Sequence, residues 1–402
     1  MKTSLKYLAV GALLAAALVD NANAIPSFAR QTGLNCSACH TVFPELTQVG
    51  RDYKLHGYTM GGGESTLASK LAVMVQLDSI EHKAGQPGDK AINFSQGSIF
   101  FGGKIVKNIG AFGQFTYENG DDENGAVFGV DLLDIRYANT KDINGKELVY
   151  GVTVNNNLGV QDIWNTVGSW AYPYAGGLGI GATLFDPDMA PPVGGVGVYA
   201  MWDNLLYAEV SAYRGSKGTG LMQFFSWNTK AWDPATAYMD QTSPYVRLAI
   251  QHNVGANYFM LGGSGFWSKI NPDPTAGSVL TKYKDKSLDA EWQYDSGVNL
   301  ITANASKVWE TQTLSGNDTK SDTTRLKLSY YYDHTYGATV NYVTSTNTDS
   351  TADATGIVYE LDYMPTQKIK LAAQYNTYSK FGGTTTGASD NNNIYLNVWF
   401  MF

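Results

Sequence analysis

The chain has 402 residues, of which 43 are glycine, 13% are aromatic and only 16% are charged, against roughly 25% charged in an average soluble domain. Hydrophobic residues make up 44%, yet mean hydropathy is −0.21, and beyond residue 24 no apolar run approaches the ~18–20 residues of a membrane helix. That excludes a helical-bundle membrane protein, the aromatic content argues against disorder, and 28 Lys+Arg against 36 Asp+Glu gives no support to a nucleic-acid partner.

Residues 1–24 read as a secretory signal peptide. Lys2 and Lys6 give a positive start, an apolar stretch runs from Leu8 to Val19, and Ala22-Asn23-Ala24 is a small-x-small cleavage site. The apolar stretch is too short for an uncleaved anchor. Cleavage before Ile25 removes two lysines and one aspartate and takes the net charge from −8 to −9. The expectation is an exported bacterial protein that folds outside the cytoplasm.

The next segment, 25–66, holds both cysteines of the chain, in Cys36-Ser37-Ala38-Cys39-His40. A structural disulfide between them is one reading in an exported protein, but a C-x-x-C bridge closes a very short loop and constrains little of the unfolded chain. A redox pair calls for a thioredoxin-like βαβ context, and nothing in the sequence suggests one. Histidine directly after the second cysteine turns the reading to c-type haem attachment. Two thiols add to the two vinyl groups of one haem, and the adjacent His40 reaches the iron from the proximal face.

Spacing leaves the sixth iron ligand open. The local candidates are His56 and Met60, each weighed against an ordinary surface or packing role, and a methionine there would raise the potential. Arg30 and Arg51 flank the haem segment. Their guanidinium groups match haem propionates in a fork, and salt bridges to barrel carboxylates are the competing reading. Gly33, Gly50 and Gly57 are expected at turns or where backbone approaches the haem closely.

From about residue 67 to 402 short segments alternate with period two, the strand signature. In 325–332, Leu326, Leu328, Tyr330 and Tyr332 alternate with Arg325, Lys327, Ser329 and Tyr331, and in 245–251, Val246, Leu248 and Ile250 alternate with Tyr245, Arg247 and Gln251. His252 and His334 share parity with the apolar, outward set. Short turns near 106–109, 140–146, 202–205, 253–256, 295–298, 333–336 and 364–367 alternate with long connections near 81–92, 118–127, 155–193, 214–244, 268–285, 312–321, 347–354 and 379–393. Seven turns and eight loops give 16 strands, and an even count with turns on one side and loops on the other is the bacterial outer-membrane pattern. The apolar piece Leu178–Phe185 is placed inside the 155–193 connection, since counting it as a strand breaks the alternation. The aromatic-rich last strand ends at Phe402 and resembles the terminal strand of outer-membrane barrels. The expected fold is therefore all-β, a 16-stranded antiparallel transmembrane barrel, with the short haem c segment plugging its periplasmic side. The acidic loop Gly120-Asp121-Asp122-Glu123-Asn124 reads as a solvated loop or, less simply, as an attractor of Fe(II).

Taken together, Pro26-Ser27-Phe28-Ala29-Arg30-Gln31-Thr32-Gly33, Cys36–His40, Phe43-Pro44-Glu45-Leu46-Thr47, Gly50-Arg51, Lys54 and Gly57-Tyr58 resemble the fused cytochrome–porins of the bacterial outer membrane, which include monohaem iron-oxidising cytochromes. The remainder matches that family in length, barrel pattern and terminal Phe402. The resemblance implies one covalent haem c in front of a porin-like barrel set in outer-membrane lipid. It also implies electron uptake from extracellular Fe(II) and delivery to a periplasmic c-type cytochrome or similar carrier. By position it makes Cys36 and Cys39 the thioether sites and His40 the proximal ligand, and it fixes no distal ligand. A general conduit with another donor or reversed flow, and a porin with a haem-bearing plug, are the alternatives.

Overall fold

The computed structural model describes residues 27–61, 66–118, 127–166, 173, 178–180, 193–215, 238–239, 241–271 and 279–402. The signal segment 1–24, the acidic loop 120–124 and most of Leu178–Phe185 lie outside them.

Among the described residues, seventeen strands form one sheet that closes on itself. They are β1 Leu71–His82, β2 Asn93–Val106, β3 Ile109–Glu118, β4 Val127–Ile143, β5 Lys146–Asn155, β6 Val193–Trp202, β7 Leu206–Gly215, β8 Tyr238–Met239, β9 Ser243–Val254, β10 Asn257–Asn271, β11 Thr281–Asp295, β12 Asn299–Leu314, β13 Asn317–Tyr332, β14 Tyr336–Asn347, β15 Ala354–Thr366, β16 Ile369–Lys380 and β17 Asn393–Met401. β8 is a two-residue piece on the end of β10, so sixteen full strands make the wall. β1 pairs antiparallel with both β17 and β2, which closes the barrel and leaves no edge.

The seven short turns fall where the sequence places them. Several use φ > 0 residues suited to tight hairpins, such as Asn144-Gly145 and Asp203-Asn204. One expectation is corrected: 312–321 is not a long loop, because β12 and β13 pair as far as Leu314↔Asn317 and turn at Ser315-Gly316. Both strands are 16 residues long, more than the ~9–11 that span a bilayer, so the polar composition of 312–321 belongs to a solvated hairpin rather than to irregular chain.

Alternation sorts the wall into two faces. Leu248, Leu261, Leu326, Leu328, Val340 and Leu361 point out and are exposed, while Arg247, Glu291, Ser329, Thr339, Asn341 and Glu360 point in and are buried. Tyr330, Tyr332, Tyr336 and Tyr363 ring the short-turn end of the outer face, with Tyr336 and Tyr363 stacked at 5.3 Å. An apolar belt with aromatic girdles is the surface a bilayer requires, and it sets the barrel in the bacterial outer membrane with its short turns toward the periplasm. Among the described residues no helix is long and apolar enough to cross a membrane.

The lumen is filled from both directions. On the short-turn side the N-terminal segment enters as α1 Ser27–Thr32, α2 Cys36–Cys39 and α3 Gln48–Leu55. From the opposite side residues 156–166, which follow β5, turn inward through α4 Leu158–Gln161 and bury Ile163 and Trp164 against Tyr207 and Tyr258. Further along, Leu178 and Ile180 are not in a strand, and they pack on the inward residues Val343, Ala354 and Val358.

Candidate functional site: a cavity between the plug and the barrel wall

The C-x-x-C-H segment is short enough to be one helical turn. Residues three apart share a face of a helix, so α2 presents Cys36 and Cys39 to the same side. Asn35 precedes it in extended conformation, and His40 ends it with its N–H on the Cys36 carbonyl. The Cys36 amide donates to Gln367 Oε1 at 2.9 Å, which ties the turn to the β15–β16 hairpin. Both cysteines are free thiols, and burial pushes each up to about 11. A redox C-x-x-C needs a depressed thiol, so that reading loses support.

His40 is held by one contact that decides its chemistry. Its Nδ1 faces the Glu45 carbonyl at 3.3 Å. A carbonyl only accepts, so Nδ1 carries the proton and Nε2 keeps its lone pair. A ring fixed this way through one nitrogen is oriented to bind a metal through the other. Burial drives the imidazole down to about 4, with the Glu45 carbonyl opposing, so the ring stays in its neutral, ligating form.

These three residues meet at one cavity. It has a volume of about 190 Å³, is partly open, and is walled by Cys36, Cys39, His40, Phe43, Trp399 and Met401. Small-molecule and cofactor pockets are mostly apolar. Phe28, Phe100 and Phe112 extend the apolar lining. The rings of His40 and Phe43 lie 4.8 Å apart, and Phe43 and Trp399 lie 6.0 Å apart. Gly50 permits the plug to close on this side: a Cβ there would sit 2.3 Å from the Cys39 carbonyl oxygen. Gly57 ends α3 at φ +66 and lets the backbone press against Arg136 and Ala138 of β4.

The residues present fit a c-type haem. Two thiols share one face, a neutral imidazole is fixed through Nδ1, and the wall between them is apolar. One further atom supports the fit: the Tyr53 hydroxyl is buried at this cavity and, among the described residues, has no hydrogen-bond partner. A buried donor left alone costs about 1–3 kcal/mol, and an acceptor such as a propionate oxygen would satisfy it.

Other expected site residues stand elsewhere. Arg51 does not line the cavity. It pairs with Glu291 at 3.1 Å, donates to Gln293 at 2.8 Å and to the Leu46 carbonyl at 2.9 Å, and stacks over Tyr258 at 3.8 Å. Of the two readings weighed for Arg51, the structure holds the salt bridge to a barrel carboxylate. Arg30 donates to the Leu71 carbonyl at the start of β1 and is also absent from the lining. His56 bonds the Asp52 carbonyl through Nδ1 at 2.8 Å, and Met60 is exposed; neither lines the cavity that His40 faces. The helix α3 carries its Arg51, Lys54 and Leu55 face into the lumen, and that geometry turns His56 away. His334 is not on the outer face of a strand: it sits in the β13–β14 turn at φ +49, beside Cys36 and His40 at a second opening on the short-turn side. Among the described residues no group of three or more His, Cys, Asp or Glu is gathered as a metal-ion site.

Among the cavity residues that sequence reasoning missed are Tyr53, Phe100, Phe112, Trp399 and Met401. The last two carry one legible signal, the period-two parity of β17 that turns them inward. Nothing in spacing brings them to residue 40.

The chain matches no protein-family model and no curated protein sequence. Among solved structures it is similar to an anion-selective porin from Comamonas acidovorans (13% identity, 83% of this chain and 98% of that one, TM-score 0.48). It is also similar to OmpF of Salmonella typhi (12%, 83% and 97%, 0.48) and to a loop-deletion mutant of OmpT from Vibrio cholerae (14%, 83% and 98%, 0.47). At these scores the likeness adds nothing to the barrel already counted from its strands.

Proposed function

We propose that this outer-membrane barrel carries electrons through one covalently attached c-type haem, taking them from extracellular Fe(II) and passing them to a periplasmic carrier. The observation that supports it is the convergence of Cys36, Cys39 and the Nδ1-anchored His40 on one apolar cavity inside the lumen. A haem held there would supply one-electron chemistry at its iron, which matches the single electron that Fe(II) gives.

The chain's own residues do the rest. Cys36 and Cys39 would hold the porphyrin by thioether bonds, His40 Nε2 would ligate its iron, and Phe28, Phe43, Phe100, Phe112 and Trp399 would keep water and lipid from the ring. Tyr53 offers a donor to a propionate. The opening lined by Cys36, His40, His334 and Gln367 brings the attachment turn to the periplasmic surface, where a carrier would dock. Electron transfer falls steeply with distance, so this closeness suits delivery. Oxidation on the outer side also leaves insoluble ferric product outside the cell.

The test is a pyridine haemochrome assay on detergent-extracted protein, followed by stopped-flow mixing with Fe(II). One covalent haem per chain, reduced by Fe(II), is the expected result. Haem that stays oxidised at every pH would remove Fe(II) as donor and leave the general conduit. Absence of haem would end the electron-transfer reading. The porin reading draws on the polar side chains that line another part of the lumen, where Gln76, Gln96, Ser98, Gln114 and Thr116 bond one another. Liposome swelling tests it: free passage of sugars would mean that the plug leaves an open channel.

A further inference from the structure

A haem with one fixed imidazole has a second axial position, and neither His56 nor Met60 reaches the cavity. The barrel itself supplies a candidate. On β17 the inward residues are Asn393, Tyr395, Asn397, Trp399 and Met401, and the last two line the same cavity as His40. Successive inward residues on a strand are about 6.6–6.8 Å apart. Met401 therefore lies one inward step beyond Trp399, itself one ring beyond Phe43, which contacts His40.

The other cavity groups are engaged or unsuited. Lys54 Nζ donates to the Asp162 carbonyl at 2.5 Å and to Asn165 Oδ1 at 2.9 Å. The Tyr58 hydroxyl donates to Asp134 at 2.7 Å, and the Thr32 hydroxyl to the Phe28 carbonyl at 2.8 Å. Tyr53 would have to become an anion in an apolar wall, which costs heavily. Among the described residues lining the cavity, Met401 is the one thioether, a neutral soft donor that an apolar site accepts without penalty.

Resting on the haem reading above, we infer that Met401 is the distal iron ligand, so that the terminal strand of the barrel, not the plug, completes the coordination. The consequence is mechanical as well as electronic. A His/Met pair raises the potential, and the ligand set closes only when the plug is seated against the final strand. Coordination would then report barrel closure.

The experiment uses the full-length, detergent-extracted protein. The pyridine haemochrome assay first establishes the haem, and its failure would sink the functional reading and leave Met401 without an object. With haem present, the ferric protein is expected to show the far-red sulfur-to-iron charge-transfer band, and the ferrous protein the strongly upfield methionine methyl resonance. M401A is expected to lose both signals, to bind added imidazole, and to show a lower midpoint potential. M401H is expected to keep six-coordination with a bis-imidazole spectrum. M74L, which alters the cross-strand neighbour of Met401, is expected to keep the band. Phe402 and the outward face of β17 are unchanged in each variant. A haem-loaded unaltered protein without either sulfur signal overturns the assignment, and so does a band that survives in M401A. The first result requires no variant to fold.

Discussion

The plug and the barrel wall are held by opposite means. Each strand of the wall is hydrogen-bonded to neighbours on both sides around a closed ring, so its order is its own. The plug has helices of six, four and eight residues, and isolated helices below about 12–15 residues are marginal in water. Its order comes from the lumen. Gln31 donates to the Gly102 carbonyl at 2.7 Å, Lys327 pairs with Glu45 at 2.7 Å, Arg51 pairs with Glu291, and Arg136 of β4 donates to the Lys54 carbonyl at 3.3 Å. A soluble domain buries apolar side chains at its centre. Here the plug buries charge against a wall that carries the complementary charge. A C-x-x-C-H turn that would be floppy alone is fixed by the cylinder around it.

The sharpest break of this comparison removes the chemistry and leaves the wall. With Cys36→Ser and Cys39→Ser together, covalent haem should be lost completely in the pyridine haemochrome assay. The heat-modifiable mobility of the folded barrel on a gel should not change. Loss of the folded band as well would mean that the cofactor, not the ladder, holds the wall. Next in size is Arg51→Met. It leaves Glu291 without its cation inside the lumen, and breaking a buried pair from one side costs about 3–5 kcal/mol. Hydrogen exchange should quicken across residues 27–61 and stay slow in the strands; uniform acceleration would show that plug and wall unfold as one unit.

Leu328→Arg attacks the other region. Leu328 is exposed on the outer face between the inward Lys327 and Ser329, and a lipid-facing arginine near the midplane costs about 2–4 kcal/mol. The expected outcome is a lower urea midpoint in lipid vesicles with an unchanged haem spectrum. A smaller effect is expected from Gly50→Ala, whose new Cβ meets the Cys39 carbonyl. Overpacking of this kind costs about 1–3 kcal/mol. It should shift the haem spectrum without moving the barrel's midpoint, and an unperturbed spectrum would mean that the plug backbone yields freely.

Much of this was legible in residue order. The period-two pattern is a direct image of a wall with lipid on one side and a lumen on the other, so the strands, the seven tight turns and the outward set were readable residue by residue. The 312–321 hairpin reads as a loop in the sequence because solvated strand and loop share a polar composition. The C-x-x-C-H turn was readable because its chemistry is local. Arg51, His56 and Met60 were not, because which face of α3 enters the lumen depends on where Glu291 and Gln293 stand, some 240 residues away. The inward course of 156–166 was hidden for the same reason: a segment that fills a lumen with Leu158, Ile163 and Trp164 looks like any mixed connection until the lumen around it is known.

By itself, then, the amino-acid order determined a closed, membrane-facing cylinder and a C-x-x-C-H turn, since alternation and a five-residue motif are short-range properties of a chain. The tertiary structure alone decided which side chains surround that turn. Closing the ring brings β17 beside β1 and puts Trp399 and Met401 on the same cavity as His40, and no local pattern encodes a meeting of residues so far apart in the chain.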